Sequence, residues 1–230
     1  MPRIGLYTAT ENELGALQRA AGEVETDLVV RSESDLDEPD DVETFCEELS
    51  DCDVAVLWLH GGKDSMPGYD RVLERCYEAG VPVAIKATGD AFAIEDTTVP
   101  GSVRETVGEY LERGGSANLA NAVRYLTDRF TAEEVAYDDP VSLPTEGVYH
   151  PDHPGASVEE LYATLDEDRP TVAVWFYESH WTHANTRYVD ALVRAIEREG
   201  ANALPVFCNP VTDSDEQQDA EWVVDNWLTD

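Results

Sequence analysis

Six consecutive apolar residues, Val54-Ala55-Val56-Leu57-Trp58-Leu59, run into His60-Gly61-Gly62. A run this short with no polar alternation reads as a strand buried on both faces, and such a strand needs helices on both sides of its sheet. The residues that follow agree. A helical pattern reaches about Ala79, with Pro67 near its start, Gly80 closes it, and Pro82 to Lys86 returns as a strand, completing one βαβ unit. Upstream, Ile4 to Thr8 and Leu28 to Arg31 read as strands, with Thr10 and Glu13 spaced as a capping box before a helix to about Ala21. A further helix lies near Val42 to Leu49. Ser102 with Glu105, and then Ser116 after Gly114-Gly115, predict a helical hairpin over residues 101–130.

From Thr131 to Arg169 the pattern dissolves into Pro, Gly and acidic residues, leaving one short helix after Ser157. A second βαβ unit follows, with strands over Thr171 to Tyr177 and Ala203 to Phe207 and a helix from Asn185 to about Glu199. Asp219 to Leu228 reads as an amphipathic helix. Two parallel strands cannot bury both faces of a sheet, so this unit reads as incomplete and the chain as truncated. The expected fold class is α/β, with doubly wound parallel βαβ units and an inserted helical hairpin. The expected division is an amino-terminal domain over 1–130, a connector over 131–169 and the start of a second α/β domain over 170–230.

Charge sets the environment. Against 49 Asp and Glu stand 15 Lys and Arg, a formal net charge of −34, and only Lys63 and Lys86 are lysines. With 42% hydrophobic residues, five Trp and ten Tyr, the chain has ample material for a core, which excludes a disordered acidic polymer. A folded, lysine-poor, carboxylate-rich surface fits a halophilic protein, because at about 1 M salt the Debye length shrinks to about 3 Å and self-repulsion is screened. The same charge repels phosphates, so neither nucleic acid nor an anionic membrane is an expected partner. No run of about 18 apolar residues and no signal peptide is present, which makes a cytoplasmic location the expectation. Cys46, Cys52, Cys76 and Cys208 match no zinc or CxxC spacing and are expected reduced and buried.

Four strings occur in order: Leu59-His60-Gly61-Gly62 continuing to Ser65-Met66-Pro67-Gly68-Tyr69-Asp70, Tyr110-Leu111 with Gly114-Gly115-Ser116-Ala117-Asn118-Leu119, Pro144-Thr145-Glu146-Gly147-Val148-Tyr149-His150-Pro151, and Asn185-Thr186 with Val189-Asp190-Ala191-Leu192 through Gly200 to Leu204-Pro205-Val206-Phe207. From about Leu59 to Cys208 the chain resembles the amino-terminal region of the cobaltochelatase large subunit (CobN), a family related to the magnesium chelatase H subunit. The resemblance implies a much longer subunit that binds a corrin-type tetrapyrrole of the hydrogenobyrinic acid a,c-diamide kind. It also implies that Co2+ is the substrate metal in cobalamin biosynthesis and that AAA+ type ATPase partner subunits use the ATP, which is not bound here. The metalation residues of the family lie beyond this chain, so no catalytic residue is assigned. Relatives carry Tyr-Arg-x-His before a Gly-Asn-Thr or Gly-Asp-Thr turn; here Tyr177-Glu178-Ser179-His180 precedes Ala184-Asn185-Thr186, so an arginine has become Glu178 and a glycine Ala184. Two other functions stay open: the magnesium chelatase H subunit, which places Mg2+ in protoporphyrin IX, and a non-enzymatic α/β module binding a small anion.

Candidate site residues cluster where strands end, because open α/β sheets place ligand crevices there. His60, the amides of Gly61 and Gly62, Lys63 and the next helix amino terminus can receive a carboxylate or amide; a tight turn that needs glycine explains the same residues. The spacing is not that of a P-loop. In the second unit His180, Trp181, Asn185 and Thr186 are the candidate substrate contacts, and Glu178, His180 and His183 form a candidate divalent-metal set in a loop. Against these stand packing roles for the histidines and tryptophans, and helix capping by Asn185 or Thr186 with Asp190 in the first turn.

Overall fold

A computed structural model of the chain describes residues 1–9, 11, 13–87, 95–209, 218 and 220–228. It divides into two compact units, Met1–Ser142 and Leu143–Asp230.

In the first unit β1 (Arg3–Thr8), β2 (Asp27–Ser32), β3 (Val54–Leu59) and β4 (Val83–Ala87) form an all-parallel sheet in the order β2-β1-β3-β4. β3 is covered on both faces, as its apolar run requires. Ala55, Leu57 and Leu59 pack with Phe45, Leu49, Val72 and Cys76 of α2 (Pro39–Leu49) and α3 (Tyr69–Ala79). Val54 and Val56 pack with Leu17, Val107, Tyr110, Leu119 and Val123 of α1 (Leu14–Val24), α4 (Gly101–Arg113) and α5 (Gly115–Phe130). The chain steps from β1 outward to β2, then crosses back to β3, so the switch point of the strand order lies between the carboxyl ends of β1 and β3, where His60 begins its loop. β1 passes α2 so closely that a Cβ at Gly5 would collide with Leu49. All four cysteines are buried thiols outside any disulfide.

The hairpin over 101–130 forms, but with other caps than expected. Pro100 is the N-cap of α4 and Gly114 that of α5, so Ser102 and Ser116 fall inside the first turns and make no side-chain cap. Thr10, the expected capping partner of Glu13, lies outside the described residues.

The expected connector over 131–169 is divided between the two units. Residues 131–142 are fastened to the hairpin: Tyr110 donates to the Asp138 carbonyl at 2.5 Å, and the Asn118 carboxamide pairs with the Val141 carbonyl and amide at 2.8 and 2.9 Å. Those anchors come from residues more than twenty positions away, which local pattern does not reveal.

The second unit also begins earlier than expected. β5 (Glu146–Val148) pairs antiparallel with β7 (Asn202–Cys208), and β7 pairs parallel with β6 (Thr171–Tyr177), giving the order β5-β7-β6. The second sheet is therefore mixed rather than purely parallel. Three residues are too few to carry a strand period, which is why β5 was not legible. α8 (Arg187–Arg198) covers one face, with Val189 and Val193 on Phe176 and Phe207. The other face is covered by α6 (Val158–Tyr162), opened by a Ser157–Glu160 capping box, and by α9 (Ala220–Val223) running into a π turn over Val224–Leu228. Asp219, where this last helix was expected to start, lies outside the described residues. Among the described residues no helix is long and apolar enough to cross a membrane.

Candidate functional site

In the first unit β3 delivers His60, which is exposed, and Gly61, whose φ of 101° and open surroundings suit glycine. A three-residue 3-10 turn, Lys63–Ser65, intervenes before α3 starts at Tyr69. The helix amino terminus is therefore not contiguous with the glycines. The turn is held from inside: the Ser65 hydroxyl donates to the Gly62 carbonyl and Tyr7 donates to the Ser65 carbonyl, both at 2.7 Å. Burial pushes the Tyr7 phenol up to about 12, which keeps it a donor.

Lys63 is engaged within its own unit. Its ammonium lies 2.6 Å from Asp96 and 5.3 Å from the Tyr69 ring centroid, while Tyr69 donates to Asp96 at 2.9 Å and Tyr77 to the Asp96 carbonyl at 2.7 Å. The hydrogen bond to Asp96 raises the Lys63 pKa, and that from Lys63 lowers the Asp96 pKa. The opposite charges of Lys63 and Asp96 offset one another, so Lys63 does not stand in this loop as an uncompensated cation.

In the second unit the segment after β6 is not a loop but a short helix, α7 (Glu178–Thr182). The Glu178 carboxylate accepts from the Thr182 hydroxyl, His183 is buried with Nδ1 2.8 Å from the Ser179 carbonyl, and His180 sits edge-on to Tyr188 with ring centroids 5.1 Å apart. Glu178 and His183 are thus each engaged locally, and no group of three or more His, Cys, Asp or Glu among the described residues is arranged to hold a metal ion, so the structure does not bring Glu178, His180 and His183 together as a ready-made set. The buried His180 Nδ1 has no hydrogen-bond partner. Trp181 stacks on Phe207 at 4.6 Å and 11°, which makes it part of the core wall under the loop.

The chain then turns through Ala184, at φ 54°, with the Asn185 amide donating to the His180 carbonyl at 2.7 Å and its side chain exposed. Thr186 is the N-cap of α8 by position yet makes no cap bond; its hydroxyl donates to the Tyr149 oxygen at 3.1 Å, and Tyr149 donates to Asp190 at 2.7 Å. Tyr149, which joins Thr186 to Asp190, was not singled out from sequence, although it lies in a string that carries the family resemblance.

A cleft of about 220 Å3 at the amino ends of β6 and β7 was also missed; His150, His153, Asp166, Arg169, Glu197 and Asn202 are among its lining residues. It sits at the opposite end of the strands from the Asn185–Thr186 turn.

A four-stranded parallel sheet and a three-stranded mixed sheet, each covered by helices on both faces, place the chain in the α/β class. Residues 108–230 match the family model described as CobN/Magnesium Chelatase. The chain is 30% identical over 173 residues to the aerobic cobaltochelatase CobN subunit of Pseudomonas aeruginosa, covering 72% of this chain and 14% of that protein. It is 29% identical over 125 residues to the magnesium-chelatase H subunit of Cereibacter sphaeroides, covering 47% and 10%. The catalytic subunit of cobaltochelatase from Mycobacterium tuberculosis has the same fold, with a TM-score of 0.66 at 23% identity over 94% of this chain and 17% of that one. The chain belongs to the CobN/magnesium chelatase family and spans about a seventh or less of the curated relatives it matches.

Proposed function

We propose that the chain is the amino-terminal portion of the large, tetrapyrrole-binding subunit of an ATP-dependent cobaltochelatase that inserts Co2+ into a corrin precursor in cobalamin biosynthesis, in the cytoplasm of a salt-adapted organism. The observation that carries the cobalt reading is extent: the likeness to the Pseudomonas cobaltochelatase protein covers 72% of this chain, that to the Cereibacter magnesium-chelatase protein 47%. These residues recognise or scaffold and do not catalyse. Co2+ is substrate, and ATP is consumed by AAA+ type partner subunits.

A corrin precursor presents carboxylates and amides around its rim. Within the second unit the exposed Asn185 carboxamide and the hydroxyl of Thr186, with His180 beside them, offer donors and acceptors for such groups, and within the first unit, separately, so does the His60-Gly61-Gly62 turn. Trp181 supports the second loop from beneath, and Lys63 braces the first through Asp96.

The test is a titration of the chain in multimolar KCl with a cobalt-free corrin and with protoporphyrin IX, followed by quenching of tryptophan fluorescence. Corrin should bind at least about tenfold tighter, a difference of about 1.4 kcal/mol. Tighter binding of protoporphyrin would transfer the assignment to the magnesium chelatase. No quenching by either, with inorganic phosphate raising the thermal midpoint, would favour the small-anion module.

A further inference from the structure

Three of the four outer strands of the two sheets are defended as exposed edges usually are, by charge or by shortness. β2 carries Asp27 and Arg31, β4 carries Lys86, and β5 is three residues long and starts with Glu146. β6, Thr-Val-Ala-Val-Trp-Phe-Tyr, is among the described residues an edge strand in the order β5-β7-β6, and has no charge, no proline and no bulge. Its composition is that of a central strand of a parallel sheet, which pairs on both sides.

The flanks of this edge are apolar on both faces. Phe176 enters the core under α8, so Val172 shares that face; Trp175 and Tyr177 lie on the other, where the Trp175 indole donates to Cys208 at 2.9 Å. On α8, Asp190 and Arg194 turn toward Tyr149 and Asp152, leaving Tyr188 and Leu192 on the opposite flank, above the outer edge of β6, where His180 meets Tyr188. Val172, Trp175, Tyr177, Tyr188 and Leu192 are between 41% and 52% exposed. Of the eleven large apolar side chains exposed among the described residues, eight belong to the second unit, in a chain otherwise rich in surface carboxylates.

We infer that the outer edge of β6 takes up one further parallel β-strand from the part of the large subunit that these residues do not contain, with apolar cover over Tyr188 and Leu192 on one side and Trp175 and Tyr177 on the other. The occupant is an extended, uncharged, β-branched segment. One argument selects it over a second copy of the chain: the matched chelatase subunits are about six to ten times longer than the aligned stretch. The inference rests on the reading of the chain as part of a longer large subunit.

Amide hydrogen exchange tests it, compared in multimolar KCl between the 230-residue chain and the complete protein encoded by its gene. The alternate β6 amides that do not bond to β7 should exchange fast in the short chain and at least about a hundredfold slower in the complete one. A gene encoding only these residues overturns the longer-subunit reading together with this inference. A longer protein in which those amides stay fast overturns the inference alone, as does a short chain that sediments as a dimer with them already protected. The variant Val172→Lys, at an exposed position, should lower the thermal midpoint of the complete protein and leave that of the short chain unchanged. Equal shifts in both would also count against it.

Discussion

Ala184 holds φ 54°, and its strain is that of a Cβ in the left-handed region. That conformation costs an L-residue about 1–2 kcal/mol, part of which glycine forfeits through its freer unfolded chain. Ala184→Gly is therefore expected to stabilise the second unit by about 0.5–1 kcal/mol, read as a higher urea midpoint; a lower midpoint would mean that the turn carries no strain. At His150 the expectation concerns pH. The Asp152 amide donates to Nδ1 at 3.2 Å, which assigns the proton to Nε2, 3.3 Å from Glu197. Burial lowers the His150 pKa below the ordinary 6.5; Arg194 and His153 act in the same direction, while Glu197 and Asp152 oppose. The folded state then binds fewer protons than the unfolded state just below 6.5, so stability is intact above that pH and falls as the pH drops through it. Urea unfolding between about pH 8 and about pH 5.5 should show this slope, and His150→Asn should flatten it. An unchanged slope in the variant would assign it to other groups.

At the scale of elements, the amino end of α8 distinguishes two accounts of Thr186. If its hydroxyl capped the helix, Thr186→Ala and Tyr149→Phe would add independently. Because the hydroxyl instead donates to Tyr149, which donates to Asp190, the two substitutions share one network. Tyr149→Phe should cost about 1–2 kcal/mol by leaving Asp190 without its donor. The double variant should cost less than the sum by at least about 0.5 kcal/mol in a double-mutant cycle, and strict additivity would restore the capping account. The same network explains what sequence could and could not reveal. β3 was legible because a continuous apolar run reports burial directly, β6 because its uncharged β-branched and aromatic residues have the composition of a strand although most of its side chains are exposed, and the α4–α5 hairpin because its apolar period survives over 29 residues broken only at Gly114. Caps were less legible, since Pro100 and Gly114 displaced the better-looking serines nearby. Side-chain engagement was least legible: Lys63 looks like a free cation beside two glycines until Asp96, 33 positions on, is brought against it. Glu178 and His183 look like members of a metal set until α7 gives each its own local contact.

Among the described residues at least eleven of the fifteen basic side chains lie in ion pairs, most of them exposed. Exposed pairs contribute about 0–1 kcal/mol each, so they cannot offset an excess of 34 negative charges spread over 230 residues. Self-repulsion of the compact state should dominate at low salt and fade as the Debye length falls from about 10 Å at 0.1 M to about 3 Å at 1 M. The urea midpoint should therefore rise steeply with KCl across that range. Screening alone predicts a plateau near 1 M, because a 3 Å Debye length is already shorter than the spacing between most surface charges. A further rise beyond about 1 M would need a second cause, the exclusion of salt from the protein surface, which strengthens burial of apolar groups. Replacing KCl by sucrose separates the two, since sucrose is excluded without screening. A chain built for high salt should gain the first, steep part from KCl and not from sucrose. A midpoint flat or falling in KCl would remove the salt-adapted reading while leaving the chelatase assignment untouched, because that rests on the fold and the family match rather than on charge.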